Sequence, residues 1–249
     1  MDRVIAIIPA RGGSKRIPRK NIKLFLGKPL IAYSIETAKK SALFDKIVVS
    51  TDDDEIAEVA VAYGAEVPFI RPKELSDDYT SSGEAVNHAI EFLKRKGEEF
   101  RYVCTIYATA PFLQEKYLNE GFEKLKSSDA KMAFSVTSMP FPIQRTFKIT
   151  KNGRCQMFWP ENFNKRSQDL EEAYQDAGQF YWEDTTKNWV DIPFGGQSIP
   201  IVLPRYLVQD IDTFEDFKRA EMMYKVLIEN EIIKWNTRIT KVNGSNING

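Results

Sequence analysis

Apolar runs alternate along the chain with amphipathic helical patterns. The first run, VIAIIP at residues 4–9, lacks charged and hydrophilic side chains, as expected of a parallel strand buried on both faces. A helical pattern follows at 30–41, and a second strand pattern follows at 46–51. The same alternation continues with strand patterns at 102–107 and 132–138 and a helix pattern at 114–126. This order predicts a doubly wound, Rossmann-like α/β fold.

A strongly basic segment follows the first strand. Its cations are Arg11, Lys15, Arg16, Arg19 and Lys20. Burying so many unpaired charges would be costly, so the segment must face solvent or an anion. Gly12 and Gly13 permit backbone angles that aim successive N–H groups at one point, which suits a phosphate. A solvated basic loop is the alternative, but ligands of open α/β sheets bind at this end of a strand.

The pattern changes after Met139. Two aromatic-rich segments, PFPIQRTFKIT and RCQMFWP, flank an Asn152-Gly153 pair and predict a β-hairpin. Such a hairpin needs a partner in water. Its large apolar residues pack on the core or form a subunit interface, and they include Phe141, Phe147, Phe158 and Trp159. We therefore expect a single domain at 1–235, with an inserted segment at about 139–190, and a mobile tail at 236–249.

Two acidic segments are candidates for metal binding. Asp210 and Asp212 are two residues apart, so in an extended strand they point the same way and can share one hard cation such as Mg²⁺. Capping of the following helix by Asp212 or Thr213 is the alternative. The run Asp52-Asp53-Asp54 precedes another helix pattern, and here we favour helix capping over metal binding.

Composition narrows the classes of function. Lys plus Arg and Asp plus Glu number 35 each, so the net charge is zero, which argues against a nucleic-acid partner. Two cysteines and one histidine, His88, leave no basis for a disulfide framework or a multi-histidine metal site. We predict a structural role for His88. No signal peptide or membrane-length apolar segment is visible, and we expect a cytoplasmic enzyme.

The segment PARGGSKRIPRKN at residues 9–21 resembles the sugar-acid cytidylyltransferases that make CMP-sialic acids and CMP-Kdo. It contains neither GxxxxGK[ST] nor GxGxxG. The resemblance implies a glycosyltransferase-A-like nucleotidyltransferase fold, CTP and a nine-carbon sugar acid as substrates, Mg²⁺ as cofactor, and a homodimer. It implies that the inserted segment at about 139–190, with its β-hairpin, serves dimerisation and sugar binding. It also implies that Arg11 and Lys20 hold the triphosphate. The full set of implied nucleotide-binding residues is Arg11, Gly12, Gly13, Ser14, Lys20, Asn21, Arg71 and Ser82.

The resemblance extends to the acceptor side. Tyr107-Ala108-Thr109-Ala110-Pro111 aligns with a QPTSP segment of sialic-acid activators, and Tyr107 replaces a glutamine that contacts the sugar there. The segments RSQDL at 166–170 and DAGQFYW at 176–182 look like the pseudaminic acid branch of the family. The implied sugar-binding residues are Tyr107, Gln144, Arg166, Gln179 and Tyr181. The implied metal ligands are Asp210 and Asp212.

The resemblance thus implies an enzyme that transfers CMP from CTP to pseudaminic acid, with Arg11, Lys20, Asp210 and Asp212 as its catalytic residues. Legionaminic acid and N-acetylneuraminic acid are alternative acceptors. A glycosyltransferase and a non-catalytic nucleotide-binding regulator are the alternative classes. Pyrophosphate release from CTP without an acceptor glycan distinguishes the first, and CTP binding without turnover identifies the second.

Overall fold

A computed structural model describes residues 2–190 and 192–233. The predicted tail at 236–249 lies outside this part of the chain. The strands are β1 Val4–Pro9, β2 Leu24–Phe25, β3 Lys28–Pro29, β4 Lys46–Ser50, β5 Tyr102–Ile106, β6 Met132–Ser138, β7 Phe147–Ile149, β8 Cys155–Met157, β9 Tyr174–Asp184 and β10 Ser198–Val202. The α-helices are α1 Leu30–Ser41, α2 Asp54–Ala62, α3 Ser82–Arg95, α4 Glu115–Lys126 and α5 Phe214–Glu229.

The central sheet has the strand order β10-β6-β9-β5-β1-β4. β1 runs parallel to β4 and β5, and β6 runs parallel to β10. β9 lies between β5 and β6 and is antiparallel to both. From β1 the chain passes to β4 on one side and then to β5 on the other, which creates a switch point at the carboxyl end of β1. The predicted α/β fold is confirmed.

Both faces of β1 are buried, because helices cover the sheet on each side. Ile5 and Ile7 pack with residues of α3, and Ala6 and Ile8 belong to the larger core that includes residues of α1, α2, α4 and α5. Successive side chains of a strand point to opposite faces, so a strand between two helical layers needs an uninterrupted apolar run. The sequence at 4–9 has that run.

The predicted helix caps are present. Asp53 accepts a hydrogen bond from the Ile56 N–H at 3.0 Å and begins α2. Ser81 and Glu84 form a reciprocal capping box at the start of α3. These side chains satisfy N–H groups that the first helical turn leaves without partners.

The segment at 139–190 departs from the predicted boundaries. The hairpin β7–β8 is present, with Gly153 at φ 72° in its turn. β9, however, is a central strand of the main sheet and not part of a peripheral insertion. Its sequence alternates poorly because both faces are buried at its C-terminal half. The peripheral part is therefore residues 139–173, which we call the hairpin arm.

None of the helices in the described ranges is long and apolar enough to cross a membrane.

Candidate functional site

A pocket of about 570 Å³ lies at the carboxyl ends of β1, β4 and β5. Eight of the residues predicted to bind substrates or metal line it, and they are Arg11, Ser14, Lys20, Asn21, Arg71, Ser82, Tyr107 and Asp212. They come from four separate regions of the chain, which the parallel strands bring to one edge of the sheet. The basic loop therefore lies at the carboxyl end of β1, which is the location that the sequence predicts for a phosphate site.

The basic loop contacts the acidic segment that precedes α5. The Lys20 Nζ donates a 2.6 Å hydrogen bond to the carbonyl oxygen of Ile211 and lies 3.5 Å from the Asp212 carboxylate. Arg16 pairs with the same carboxylate oxygen at 3.0 Å. The two chemical centres predicted from opposite ends of the chain therefore form one cluster of charges. Arg16 was not among the predicted site residues.

Arg19 and Asp53 hold the end of the basic loop in place. Arg19 adopts a left-handed backbone at φ 57°, which is unusual for a residue with a side chain. Its guanidinium binds both oxygens of Asp53 and also pairs with Glu55. The hydrogen bond from Arg19 and the one from the Ile56 N–H keep the pKa of Asp53 below its usual value. This clamp fixes the backbone immediately before Lys20.

The two glycines of the loop do not form the predicted nest. Neither Gly12 nor Gly13 has a positive φ angle. The Gly12 N–H donates instead to the Asp52 carboxylate at 2.9 Å. A Cβ on Gly12 would lie 2.6 Å from a carboxylate oxygen of Asp53, so this position requires glycine for close packing. A nucleotide-binding role for Gly12 and Gly13 stays a prediction.

The loop at 72–80 lines one side of the pocket. It carries a carboxylate that is not among the site residues predicted from the sequence. Asp78 pairs with Arg11 at 2.9 Å and also with Lys15. These cations lower the pKa of Asp78. Arg11 donates a further hydrogen bond of 2.6 Å to the Asp77 carbonyl oxygen. No local signal distinguishes Asp78 from other loop acids, because its partners lie more than sixty residues away.

Arg71 anchors that loop to the sheet. Its side chain is buried, and its guanidinium donates to the carbonyl oxygen of Ser50 at 3.1 Å and to the Ser76 hydroxyl at 3.1 Å. Burial lowers the pKa of Arg71 from its usual value, and Asp52 opposes that shift. Arg71 therefore joins the end of β4 to the pocket wall, in addition to any contact with a ligand.

Asp210 and Asp212 lie just before α5 and outside any strand, so the strand predicted for them is absent. Loss of hydration raises the pKa of Asp210, and the charge of Asp212 raises it further. Asp212 lines the pocket, whereas Asp210 lies outside its lining. Within the described ranges, no three His, Cys, Asp or Glu side chains form a metal cluster. The predicted capping role belongs to Thr213, which forms a capping box with Asp216 and leaves the Asp212 side chain uninvolved in the cap.

Tyr107 lies between the nucleotide and acceptor residues predicted from the sequence. Its hydroxyl is 3.2 Å from the Ser82 hydroxyl, and its ring centroid is 5.3 Å from that of Tyr181. The other predicted sugar-binding residues do not line this pocket. Gln144 donates to the Glu171 carbonyl oxygen at 2.9 Å, and Arg166 forms a two-bond ion pair with Asp169.

Gln179 is buried beneath the pocket. Its amide nitrogen donates to the Leu207 carbonyl oxygen at 2.5 Å. Its side chain is buried, as are those of the three residues that follow it in β9. Sugar binding by Gln144, Arg166, Gln179 and Tyr181 stays a prediction.

His88 lies outside the pocket. Its ring contacts Phe69 edge to face at a centroid distance of 4.9 Å, and burial lowers its pKa. The predicted structural role agrees with this packing. The chemistry at the pocket must therefore use cations, carboxylates and hydroxyl groups.

Comparison with known proteins places these features in a family. The family described as Cytidylyltransferase matches residues 5–228. A pseudaminic acid cytidylyltransferase of Campylobacter jejuni is 52% identical over 224 residues, which cover 89% of this chain and 96% of that protein. An N-acylneuraminate cytidylyltransferase A of Danio rerio is 36% identical over 88% of this chain and 50% of its own length.

The fold is also shared with a solved structure. A CMP:2-keto-3-deoxy-manno-octonic acid synthetase in complex with CTP superposes with a TM-score of 0.64 over 90% of this chain and 99% of the other, at 15% identity. At that identity the likeness concerns the fold alone.

Proposed function

The chain belongs to the cytidylyltransferase family, and from this premise we propose that it transfers CMP from CTP to pseudaminic acid, releasing pyrophosphate. The observation that carries the proposal is the contact between the basic loop and the acidic segment, Lys20 with Asp212, inside a pocket at the switch point of the sheet. That arrangement provides cations for a triphosphate beside carboxylates for a divalent metal.

The reaction requires an in-line displacement at phosphorus. The anomeric hydroxyl oxygen of the acid forms a bond to the α-phosphorus of CTP, the bond to the bridging oxygen breaks, and pyrophosphate departs with the electron pair. The hydroxyl proton passes to solvent, and we assign no protein base. Arg11 and Lys20 neutralise the phosphate charges, and Ser82 and Arg71 hold the cytidine side. Catalysis here is positioning and charge stabilisation.

The donor set before α5 suits Mg²⁺. Asp210 and Asp212 would hold the ion, because carboxylate oxygens are ligands that Mg²⁺ prefers. When bound, Mg²⁺ neutralises charge on the phosphates and on the pair of carboxylates. Arg16 and Lys20 compensate the charge of Asp212, so this carboxylate would have to give up these partners to hold a metal ion.

The choice of pseudaminic acid rests on similarity and on the acceptor side of the pocket. Identity is 52% to the pseudaminic acid enzyme and 36% to the N-acylneuraminate enzyme. Tyr107 supplies an aromatic ring and one hydroxyl at the position where sialic-acid activators have a glutamine. Pseudaminic acid carries a terminal methyl group and a second acetamido group where N-acetylneuraminic acid has hydroxyls, so an aromatic wall suits it.

The test is pyrophosphate release with CTP and Mg²⁺ against pseudaminic, legionaminic and N-acetylneuraminic acids in parallel. We expect the highest kcat/KM with pseudaminic acid. Apolar pockets reject an added hydroxyl only weakly, so measurable turnover of the other acids is expected. A higher kcat/KM with N-acetylneuraminic acid would refute the acceptor assignment and leave the cytidylyltransferase activity in place. CTP binding with no turnover of any acid would favour a regulator instead.

We also propose that the protein forms a homodimer through the hairpin arm. Large apolar side chains on the arm are exposed, and they include Phe141, Phe147, Ile149, Phe158 and Phe163. The alternative of packing on the protein's own core does not account for that exposure. Several exposed large apolar side chains on one short segment are typical of subunit interfaces.

A further inference from the structure

An irregularity in β9 lies next to Tyr107, which lines the pocket. The pairing of β9 with β6 shifts register between Phe134 and Val136, so the segment at 177–180 is accommodated opposite Ser135. Bulges of this kind re-aim side chains and are common next to active sites. Gly178 has φ 62° within it, a conformation that strains residues with a Cβ.

Two polar side chains, one buried and one exposed, hold this bulge in one shape. The Ser135 hydroxyl, fully buried, accepts hydrogen bonds from the N–H groups of Gln179 and Phe180 at 3.2 Å each. The Asp176 carboxylate accepts from the Gly178 N–H at 2.9 Å. The bulge is therefore specified by side chains and does not depend on ladder hydrogen bonds alone.

Asp176 connects the bulge to the pocket through Tyr181. Its second carboxylate oxygen accepts a 2.6 Å hydrogen bond from the Tyr181 hydroxyl. Burial and the nearby Tyr107 raise the pKa of Tyr181 well above its usual value, so the hydroxyl keeps its proton and acts as the donor. A short hydrogen bond to a carboxylate is among the stronger neutral-to-charged contacts.

The Tyr181 ring in turn supports Tyr107. The two ring centroids are 5.3 Å apart, and the backbone of Tyr107 is held by hydrogen bonds to Gln179 and from Ser34. At its outer end the Tyr107 hydroxyl meets the Ser82 hydroxyl at 3.2 Å. A continuous set of contacts thus runs from Asp176 through Tyr181 and Tyr107 to the pocket wall.

We propose that Asp176 is a positioning residue for the acceptor: by fixing Tyr181 and the bulge it sets the orientation of the Tyr107 ring against which the sugar acid binds. The inference rests on the proposed function for the identity of the acceptor. Asp176 itself lies outside the pocket lining, so its effect acts through Tyr107 and not by contact with substrate. The phosphate side of the pocket does not depend on it.

The experiment compares Asp176→Asn and Tyr181→Phe with wild type in KM for the acid, KM for CTP, and CTP affinity by calorimetry. Both changes remove the hydrogen bond to a charged acceptor, so we expect KM for the acid to rise about tenfold while CTP affinity stays within about twofold. Tyr174→Phe is the matched control, because Tyr174 lies at the exposed start of β9 and its hydroxyl donates to the Glu172 carboxylate. It should change neither value.

The outcomes separate this inference from the proposed function. Equal KM values for the acid in wild type and Tyr181→Phe would overturn the positioning role while leaving the activity in place. An equal loss of CTP affinity in both variants would also overturn it, because a general structural defect affects both substrates. If the wild type uses none of the three acids, the proposed function fails. In that case a crystal structure of Tyr181→Phe decides: an unmoved Tyr107 ring contradicts the inference, and a reoriented ring supports it.

Discussion

Single charged residues decide the character of this pocket. Arg11, Lys15, Arg16 and Lys20 each have an acidic partner supplied by another part of the chain, either Asp78 or Asp212. Exposed ion pairs of this type contribute little to stability. If a triphosphate binds here as proposed, its oxygens compete with Asp78 and Asp212 for the same cations, and we expect both acidic side chains to move.

We predict that Lys20→Ala weakens CTP binding and slows turnover. A largely desolvated cation facing phosphate contributes on the order of 1–3 kcal/mol, which corresponds to roughly 5- to 150-fold in affinity. Calorimetry of CTP binding and steady-state rates provide the measurement. Lys40→Ala, at an exposed position on α1, serves as the control. Unchanged affinity together with unchanged turnover in Lys20→Ala would exclude the phosphate role.

At the level of elements, helix capping and contact with the basic loop belong to different residues at the N-terminus of α5. From the sequence, Asp212 is a candidate for both capping and metal binding. Thr213 and Asp216 satisfy the first turn of the helix, and Asp212 faces the basic loop instead. Adjacent residues therefore serve stability and chemistry separately. Before α2 the roles are not divided in this way, because Asp53 both caps the helix and binds Arg19 of the basic loop, while Asp52 binds the Gly12 N–H.

Paired substitutions test that division. Asp212→Asn keeps the shape and loses the charge, so we expect a higher Mg²⁺ concentration for half-maximal activity with the fold intact. Thr213→Ala removes the cap, so we expect a loss of about 1 kcal/mol in the free energy of unfolding with an unchanged Mg²⁺ requirement. Denaturant titrations and Mg²⁺-dependent rates measure these effects. The reverse result, a less stable Asp212→Asn with normal Mg²⁺ dependence, would assign Asp212 to the cap.

At the scale of the molecule, the described residues form an α/β core and a hairpin arm with exposed apolar side chains. Ile149 on β7 has 75% of its surface exposed and Phe141 has 77%. Exposure at this level is common for single residues, but several such residues on one short arm indicate a surface that pairs with another chain. A second copy of this protein is the partner proposed above.

We predict that wild type sediments as a dimer and that Ile149→Asp shifts it to the monomer. A charge placed in an apolar interface loses hydration without gaining a partner, so the dimer dissociation constant should rise by at least about tenfold. Val61→Asp is the control, because Val61 is an exposed apolar residue on α2, away from the arm. Sedimentation velocity at several concentrations measures both. A wild type that stays monomeric throughout would contradict the proposal.

Several features follow from the sequence by itself, because their causes are local. The uninterrupted apolar run at 4–9 requires a strand covered on both sides, and the spacing of Ser81 and Glu84 specifies a capping box. The clustering of cations after β1 indicates an anion site for the same reason, since those charges are close in the chain. The alternation of strands and helices then determines the fold class.

Other features needed the tertiary structure, because they depend on which distant segments meet. Strand pairing places β9 in the centre of the sheet, although its sequence follows a hairpin and lies within the predicted insertion. Packing at the sheet edge directed the Gly12 N–H to Asp52, so the predicted nest is absent. The pairing of Asp78 with Arg11 and the link from Asp176 to Tyr107 join residues by through-space contacts. Residue types and local spacing carry no information about such contacts until the chain has folded.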